Sequence, residues 1–372
     1  MAVSCQTVIS LVEKYAPKRL ALEQDNIGLQ LGQPAQQVEK LFLSLDLKSE
    51  VLNEAVAFNA DMLVVHHTPF FKPLKHLRSD LPTGKLISEI IRNDMALYTA
   101  HTNLDAAWGG VSDILAQKLN LQDVRTLSDS RQQKLYKLVV FIPREYTQRV
   151  HEAICSAGAG WIGNYSDCSF RLDGMGTFRP LAGAQPFIGH EGELEQVGET
   201  RLETIVPDEK ISGVIKAMLH AHPYEEVAYD LYPLANEGKT AGLGRIGRLP
   251  HALTLAEFIA VVKEKLAVSS LRYCGDIHKQ IEKVAVCGGS GAAYIAQAAF
   301  FGAHVFLTAD VKYHEAQDAL AANLALVDAG HFATEQPVIS VLADFLHAEL
   351  VEKGVEVAVS QSCTDPFCFD KG

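Results

Sequence analysis

Three short segments that lie far apart in the chain each run from apolar residues directly into side chains able to bind metal ions. They hold His66 with His67, Asp105, and His331 with Glu335. Parallel strands of an open α/β sheet end at a common rim, so we expect these groups to meet there. Imidazoles mixed with carboxylates suit Zn, Fe, Mn or Ni, and five such groups exceed the needs of one tetrahedral ion. The residues therefore predict a site for two divalent metal ions.

The length and charge of the chain limit the classes of protein it can belong to. At 372 residues it is long enough for two or three domains. A net charge of −12, with Lys and Arg spread along the chain, argues against a nucleic-acid partner. No apolar stretch approaches the roughly 20 residues of a membrane helix, and the first residues lack the apolar core of a signal peptide. We expect a cytoplasmic protein without a membrane partner.

The cysteines form an odd, scattered set of seven without a C-x-x-C pair. That pattern favours neither a disulfide framework nor a thiolate zinc site. Cys363 and Cys368, near the end of the chain, could trap a metal ion. We prefer to interpret them as reduced thiols.

The order of strand-like and helix-like segments predicts two kinds of domain. Alternating strands and helices in both outer stretches indicate βαβ units, a largely parallel sheet and the α/β class. A β-α-β-β-α-β order over about Lys134–Leu234 predicts a ferredoxin-like α+β unit with both helices on one face. The stretch 235–254, "ANEGKTAGLGRIGRLPHALT", is interpreted as a polar bridge. We therefore predict one α/β domain in two halves with an insert between them, at residues 1–128, 129–236 and 237–372.

Each candidate ligand in the first half has a structural alternative. Adjacent residues of a regular strand point to opposite faces, so His66 and His67 serve one site only if the backbone turns, as Pro69 favours. Otherwise one of them is a hydrogen-bonded core residue. Asp105, at the end of a run interpreted as a strand, is either a ligand able to bridge two cations or an N-cap for a helix near Gly110. We prefer the ligand.

The third segment has its own alternative. His331 and Glu335 are four residues apart, so they share a face if that segment is helical. The competing interpretation makes Thr334 a helix cap and Glu335 a favourable charge in the first helical turn. His101, close to Asp105, is a candidate ligand, a hydrogen-bond support for one, or a proton shuttle.

Two further segments have weaker functional signals. "CGGSG" at residues 287–291 joins a strand to a helix, so its N–H groups could bind phosphate, although tight strand–helix packing explains it equally well. Beyond another strand end, Lys312 is a candidate phosphate ligand and His314 a candidate acid/base. A helix start capped by Asp310 is the alternative.

Six motifs in a fixed order make the chain resemble a known family. They are "DNIGLQLG", "HHTPFF", "HTNLDAAWGGVSD", "CGGSG", "DVKYHEAQDA" and "GHFATE", and they resemble the Nif-three-like family, known as GTP cyclohydrolase 1 type 2 homologues. The middle segment, ending "AHPYEEVAYDLYPL", is similar to the PII/CutA-like insert of the longer bacterial members. The resemblance implies a Nif-three-like α/β domain interrupted by that insert, a dinuclear site formed by the five groups named first, and a hexameric toroid.

Two kinds of function are compatible with these residues. The first is metal-dependent hydrolysis of a small, phosphate-bearing substrate, with His101 or His314 as the proton shuttle and Lys312 on the phosphate. The resemblance implies GTP as that substrate. The second is a non-enzymatic metal carrier, or a sensor of metal or effector. Five protein ligands shared by two ions leave open coordination positions, which favours hydrolysis.

Overall fold

A computed structural model describes residues 2–70, 74–128, 131–238 and 240–368. The chain divides into two compact units. The larger unit combines Met1–Arg131 with Ala241–Gly372, and the smaller unit is Gln132–Thr240. The two outer stretches of the chain therefore fold together, and the middle stretch interrupts them.

The first sheet of the larger unit has five strands. In spatial order they are β19 (Glu356–Val359), β4 (Lys40–Ser44), β5 (Met62–Val65), β6 (Ala96–Thr99) and β2 (Gly28–Leu31). All pairings are parallel except that of the edge strand β2 with β6. The residues around β2, "EQDNIGLQLGQP", are rich in turn formers and predict a turn, which is wrong. A strand of four residues is too short for its alternation of Leu and Gln to identify it, and its pairing with β6 specifies it.

Helices cover both faces of this sheet. The helices of the first half are α1 (Cys5–Tyr15), α2 (Ser49–Phe58), α3 (Pro82–Arg92), α4 (Thr102–Ala106) and α5 (Val111–Lys118). Alternate residues of β4 pack with different helices: Leu41 and Leu43 lie in the core that includes α1, whereas Phe42 lies with α2 and α3. Burial on both faces explains why the central strands are continuous apolar runs.

A second sheet of six strands belongs to the same unit. In spatial order its strands are β15 (Arg272–Cys274), β18 (Ala325–Asp328), β17 (Val305–Ala309), β16 (Gln280–Ser290), β14 (Arg245–Thr254) and β7 (Gln122–Thr126). Only the pairings of β16 with β17 and of β17 with β18 are parallel; the other pairings are antiparallel. The expectation of one largely parallel sheet is corrected to two mixed sheets.

The stretch interpreted as a polar bridge contains β14, a strand between β16 and β7. Its first residue, Arg245, is fully buried and pairs with Asp113 of α5 through Nε–Oδ1 at 2.5 Å and Nη2–Oδ2 at 2.8 Å. The Arg245 guanidinium also donates to the carbonyls of Ala107, Gly242 and Gly244. A buried arginine breaks the apolar alternation that identifies strands in a sequence, and its partners become visible only in the fold.

Four helices of the second half lie where the sequence predicts them, whereas the short helix His331–Glu335 begins at a residue that the pattern places at the end of the strand "ALVDAGH". The helices of this half are α8 (Leu255–Leu266), α9 (Ile295–Phe300), α10 (Tyr313–Ala321), α11 (His331–Glu335) and α12 (Pro337–Leu350). The segment "LAEFIAVVKEKL" predicts a helix with the bounds of α8, and Thr254 with Glu257 forms a capping box at its start. Within the described residues, no helix is long and apolar enough to cross a bilayer.

The smaller unit has the predicted β-α-β-β-α-β order. Its elements are β9 (Leu135–Pro143), α6 (Thr147–Ser156), β10 (Ser169–Phe178), β11 (Glu195–Pro207), α7 (Ile211–Ala221) and β12 (Tyr229–Pro233). The strands are antiparallel in the order β10-β11-β9-β12, and both helices pack against one core with the sheet. This is the ferredoxin-like arrangement. Four two-residue strands complete the numbering: β1 (Val3–Ser4), β3 (Gln37–Val38), β8 (Arg131–Gln132) and β13 (Thr240–Ala241).

All seven cysteines are free thiols, and Cys363 and Cys368 are both exposed.

Candidate metal centre

His66 and His67 lie just beyond the end of β5. The strand stops at Val65 and the backbone bends through both histidines, as the nearby proline predicts. The two rings consequently lie together, with centroids 4.8 Å apart. His66 is completely buried, whereas His67 is partly accessible. Both histidines can therefore serve one site.

Asp105 reaches the same site from a helix. The interpretation of residues 95–105 as one strand is wrong, because β6 ends at Thr99 and Asp105 lies within α4. Asp105 is not the N-cap of the next helix, which is Gly110. Its Oδ1 lies 3.6 Å from Nε2 of His66. The contact with His66 places Asp105 with the candidate ligands.

His331 and Glu335 occupy the two ends of the short helix α11. Gly330 precedes the helix with φ of 88°, a conformation that favours glycine, so the helix begins directly at His331. Glu335 Oε2 lies 3.0 Å from His331 Nε2 and 2.9 Å from His67 Nε2. The same oxygen lies 3.7 Å from His66 Nε2. Helical spacing thus brings both residues of this segment to the site.

The five groups form two overlapping triads whose ligand atoms lie within 4.8 Å of one another. One triad is His67, His331 and Glu335, and the other is His66, Asp105 and Glu335. Glu335 belongs to both. The ligands come from both sheets of the larger unit: β5 and α4 follow strands of the first sheet, and α11 follows β18 of the second.

Three of the converging atoms, His66 Nε2, Asp105 Oδ1 and Glu335 Oε2, are buried and make no hydrogen bond of acceptable geometry to a described residue, although two imidazole nitrogens approach Glu335 Oε2 closely. An unsatisfied buried polar atom costs free energy, and native proteins leave few of them. All three atoms point at the other candidate ligands. A cation between them would satisfy all three, and the donor set of imidazole and carboxylate fits a divalent transition metal.

The imidazoles share one feature, which is that Nδ1 of each contacts an oxygen and Nε2 is left for the site. The partners are Ala100 O for His66 (2.8 Å), Asp46 for His67 (2.7 Å), Asp25 for His101 (2.9 Å) and Asp310 for His331 (2.7 Å). Such contacts fix the tautomer and orientation of a metal-binding imidazole. Sequence reasoning missed Asp25 and Asp46, because nothing local links them to histidines many residues away.

The carboxylates make the site strongly attractive to positive charge. Burial disfavours a charged ring, but Asp46 and Glu335 outweigh it and raise the pKa of His67 to about 10. Contacts with Glu335 and Asp310 raise the pKa of His331 to about 9, although partial burial of the ring opposes the charge. Burial opposes ionisation of Glu335, yet the surrounding imidazoles hold the pKa of Glu335 well below its usual range. The site therefore favours bound positive charge, whether protons or metal ions.

The three residues predicted to act in catalysis lie in different places. The His101 ring is 5.1 Å from that of His66, and His101 forms a third metal-competent group with His66 and His67. Lys312 is highly exposed, with its backbone N–H donating to Glu315 at the start of α10. His314 is exposed and its Nδ1 contacts Gln317. The catalytic roles of all three stay predictions.

The "CGGSG" segment lies beside the metal-competent groups, and its structure favours the packing interpretation. The N–H groups of Gly289 and Gly291 donate to the hydroxyls of Thr334 and Thr308, so neither is available to an anion. A Cβ on Gly289 would lie 2.0 Å from Glu335 Oε1. Glycine there lets the backbone pass close to a candidate ligand. Thr334 is therefore a hydrogen-bond acceptor for this strand rather than a helix cap.

The sequence matches the family model of Duf34/NIF3 (NGG1p interacting factor 3) over residues 3–366. The chain belongs to this family. Two relatives, each bearing the name GTP cyclohydrolase 1 type 2 homolog, cover nearly all of both chains. The protein of Bacillus subtilis is 43% identical over 371 residues, covering 99% of each chain. The protein of Halalkalibacterium halodurans is 45% identical over 366 residues, covering 98% of each.

A solved structure agrees with the fold of the whole chain. The Bacillus cereus protein related to NIF3 superposes with a TM-score of 0.92 at 44% identity, covering 99% of both chains. The family, inferred first from six short motifs, is thus established over the full length.

Proposed function

We propose that this member of the family is a dinuclear metal protein and a metal-dependent hydrolase of a nucleotide-like substrate. The observation that supports it best is the set of three buried ligand atoms on His66, Asp105 and Glu335 that make no hydrogen bond of acceptable geometry. Their convergence with two more imidazoles matches the chemistry of a two-metal site. The names of the relatives supply GTP as the first substrate to test.

In this proposal each triad holds one ion and Glu335 contributes to both. Zn, Fe, Mn and Ni all suit imidazole and carboxylate donors. Two divalent ions supply Lewis acidity and a nucleophilic water near neutral pH. Five protein ligands for two ions leave coordination positions open to substrate, which supports turnover over storage.

His101 is the residue best placed to move a proton at this site. Its ring lies beside those of His66 and His67. Burial opposes the charge of Asp25, but hydrogen bonds from His101 and Thr102 hold the pKa of Asp25 at about 2. The ionised Asp25 carboxylate contacts His101 Nδ1, which orients the ring. His314, exposed on α10, is the second candidate.

The test is metal content per chain together with GTP turnover. We expect about two metals per chain in protein purified without chelator or affinity nickel. The double variant His67→Ala with Glu335→Ala should lose at least one of them. A matched double variant, His347→Ala with Glu352→Ala, changes the same residue types at exposed positions and should keep both.

The possible results distinguish the proposals. Two metals, with turnover lost only in the first double variant, would establish a hydrolase. Two metals without turnover of GTP or simple phosphoesters would favour the non-enzymatic alternative, a metal carrier or sensor. Full metal occupancy in the His67/Glu335 variant would refute the site itself.

Two further implications of the family resemblance are proposals as well. One is assembly into a homohexameric toroid, which light scattering of the purified chain tests directly; a monomer or dimer mass would refute it. The other is that the ferredoxin-like unit is a PII/CutA-like module. Its strand order supports this, and an experimental structure of the assembly would test it.

A further inference from the structure

The smaller unit contains a cavity of about 450 Å³, a size typical of small-molecule sites. Four aromatic side chains line it: Phe141, Phe178, Phe187 and Tyr224. The ring centroids of Phe178 and Tyr224 are 5.9 Å apart, and those of Phe187 and Tyr224 are 6.3 Å apart. Phe187 is half exposed and lies at the accessible edge, whereas Phe178 and Tyr224 lie deeper. The cavity therefore presents several aromatic faces to any molecule that enters it.

The cavity also contains a buried carboxylate that has no counter-charge. Glu199 on β11 is only 8% exposed, and no described Lys, Arg or His forms an ion pair with it. The Tyr224 hydroxyl beside it is buried and makes no hydrogen bond with acceptable geometry to a described residue. Burial and the adjacent Glu199 raise the pKa of Tyr224, so the hydroxyl stays neutral. A buried carboxylate without a counter-charge is costly and calls for a compensating cation.

The backbone next to Glu199 accommodates this carboxylate. Gly176 of β10 lines the same cavity, and a Cβ at that position would lie 2.0 Å from Glu199 Oε2. The glycine thus leaves the space that the carboxylate occupies. Two more carboxylates, Glu225 and Glu226, line the cavity, against one guanidinium, Arg179. Arg179 is engaged with the Gly192 carbonyl at 2.5 Å.

We propose that this cavity is a binding site for a small organic cation with a protonated or quaternary amine. Aromatic faces attract such cations through the ring quadrupole, and Glu199 supplies the opposite charge at the base of the cavity. An anion would meet three carboxylates. A bare metal ion would lack ligands, because among the described residues these carboxylates form no group of three at metal-ligand distances. The site is independent of the metal centre and of the hydrolase proposal.

Calorimetric titration of the full-length, metal-loaded chain tests the proposal. The probes are choline, putrescine and 3,3-dimethylbutan-1-ol, the uncharged carbon analogue of choline. We expect one choline or putrescine per chain and no binding of the alcohol. Stronger binding of choline would indicate that the aromatic faces dominate, and stronger binding of putrescine that the carboxylates do. Absence of binding by both cations at millimolar concentration, or equal binding of the alcohol, would overturn the proposal.

The variants make the test specific to this cavity. Glu199→Gln should weaken cation binding by about tenfold or more, because the buried charge is lost while the shape is kept. Glu191→Gln, an exposed glutamate of the same unit, should bind like the native chain. Phe187→Ala, at the half-exposed edge, gives a second test should Glu199→Gln fail to fold. Both cavity variants should keep their metal content, and undiminished binding in both would refute the assignment.

Discussion

The contact between Gly289 and Glu335 gives the sharpest test of how the metal centre is built. Gly289 has φ of 61°, and a Cβ added there would lie 2.0 Å from Glu335 Oε1 and 3.1 Å from His331 Nε2. In Gly289→Ala the carboxylate must retreat by about 1.4 Å, from 2.0 Å to the 3.4 Å at which ordinary contact begins. Metal–ligand distances tolerate only about 0.2 Å. The substitution should therefore displace the carboxylate that both triads share.

The expected loss of metal affinity is large compared with the loss of stability. Removing a group that merely supports a ligand costs about 10- to 100-fold in affinity, so displacing a ligand should cost at least that much. The left-handed conformation of alanine should destabilise the fold by about 1–2 kcal/mol. Gly302→Ala is the matched control, because Gly302 has φ of 72° and open space where the Cβ would lie. Gly302→Ala should show only the loss of stability that comes from the left-handed conformation of alanine.

Competition with a chelator of known affinity, followed by elemental analysis, measures the loss of metal affinity. Denaturant unfolding of the metal-free variants measures the loss of folding stability. If Gly289→Ala binds metal as tightly as Gly302→Ala, either Glu335 is not a ligand or its side chain relaxes freely. Either finding would refute the reasoning.

Three further predictions follow from individual contacts. Arg245→Met should destabilise the chain by about 3 kcal/mol in denaturant unfolding, because it leaves the buried carboxylate of its partner unpaired; the exposed Arg248→Met should cost under about 1 kcal/mol. Asp46→Asn should lower metal affinity about 10- to 100-fold by weakening the support of a ligand imidazole, as chelator competition would reveal. Burial, with a nearby aspartate, raises the pKa of Cys155 to about 11, so at pH 8 only about one thiol in a thousand is ionised. Mass spectrometry should therefore find Cys155 alkylated more slowly than the exposed Cys363.

Each of these predictions can fail independently. Equal losses of unfolding free energy in Arg245→Met and Arg248→Met would mean that the buried ion pair contributes no more to stability than a surface pair. Unchanged affinity in Asp46→Asn would mean that the carboxylate does not orient the imidazole. Since a raised pKa depletes the reactive thiolate, faster alkylation of Cys155 than of Cys363 would contradict the raised pKa of the Cys155 thiol. Alkylation of Cys155 should accelerate as the pH rises towards 11.

Local signals in the sequence determined much of the α/β pattern. Buried strands such as β4 and β5 are continuous apolar runs, and α8 begins at a capping box, so their positions are readable from local chemistry. The β-α-β-β-α-β order of the smaller unit was readable for the same reason. The candidate ligands could also be selected, because side chains with metal-binding chemistry follow apolar segments.

Only the tertiary structure determined how these segments combine. β14 escaped detection because the partners of Arg245 come from other parts of the chain, and β2 is specified by its pairing with β6. The carboxylates of Asp25 and Asp46 could not be linked to their histidines for the same reason. Glu335 meets both triads because two sheets bring their strand ends together. The chemistry of each side chain is known from the sequence alone. Strand pairing, burial and the convergence of the candidate ligands depend on contacts between residues that are far apart in the chain.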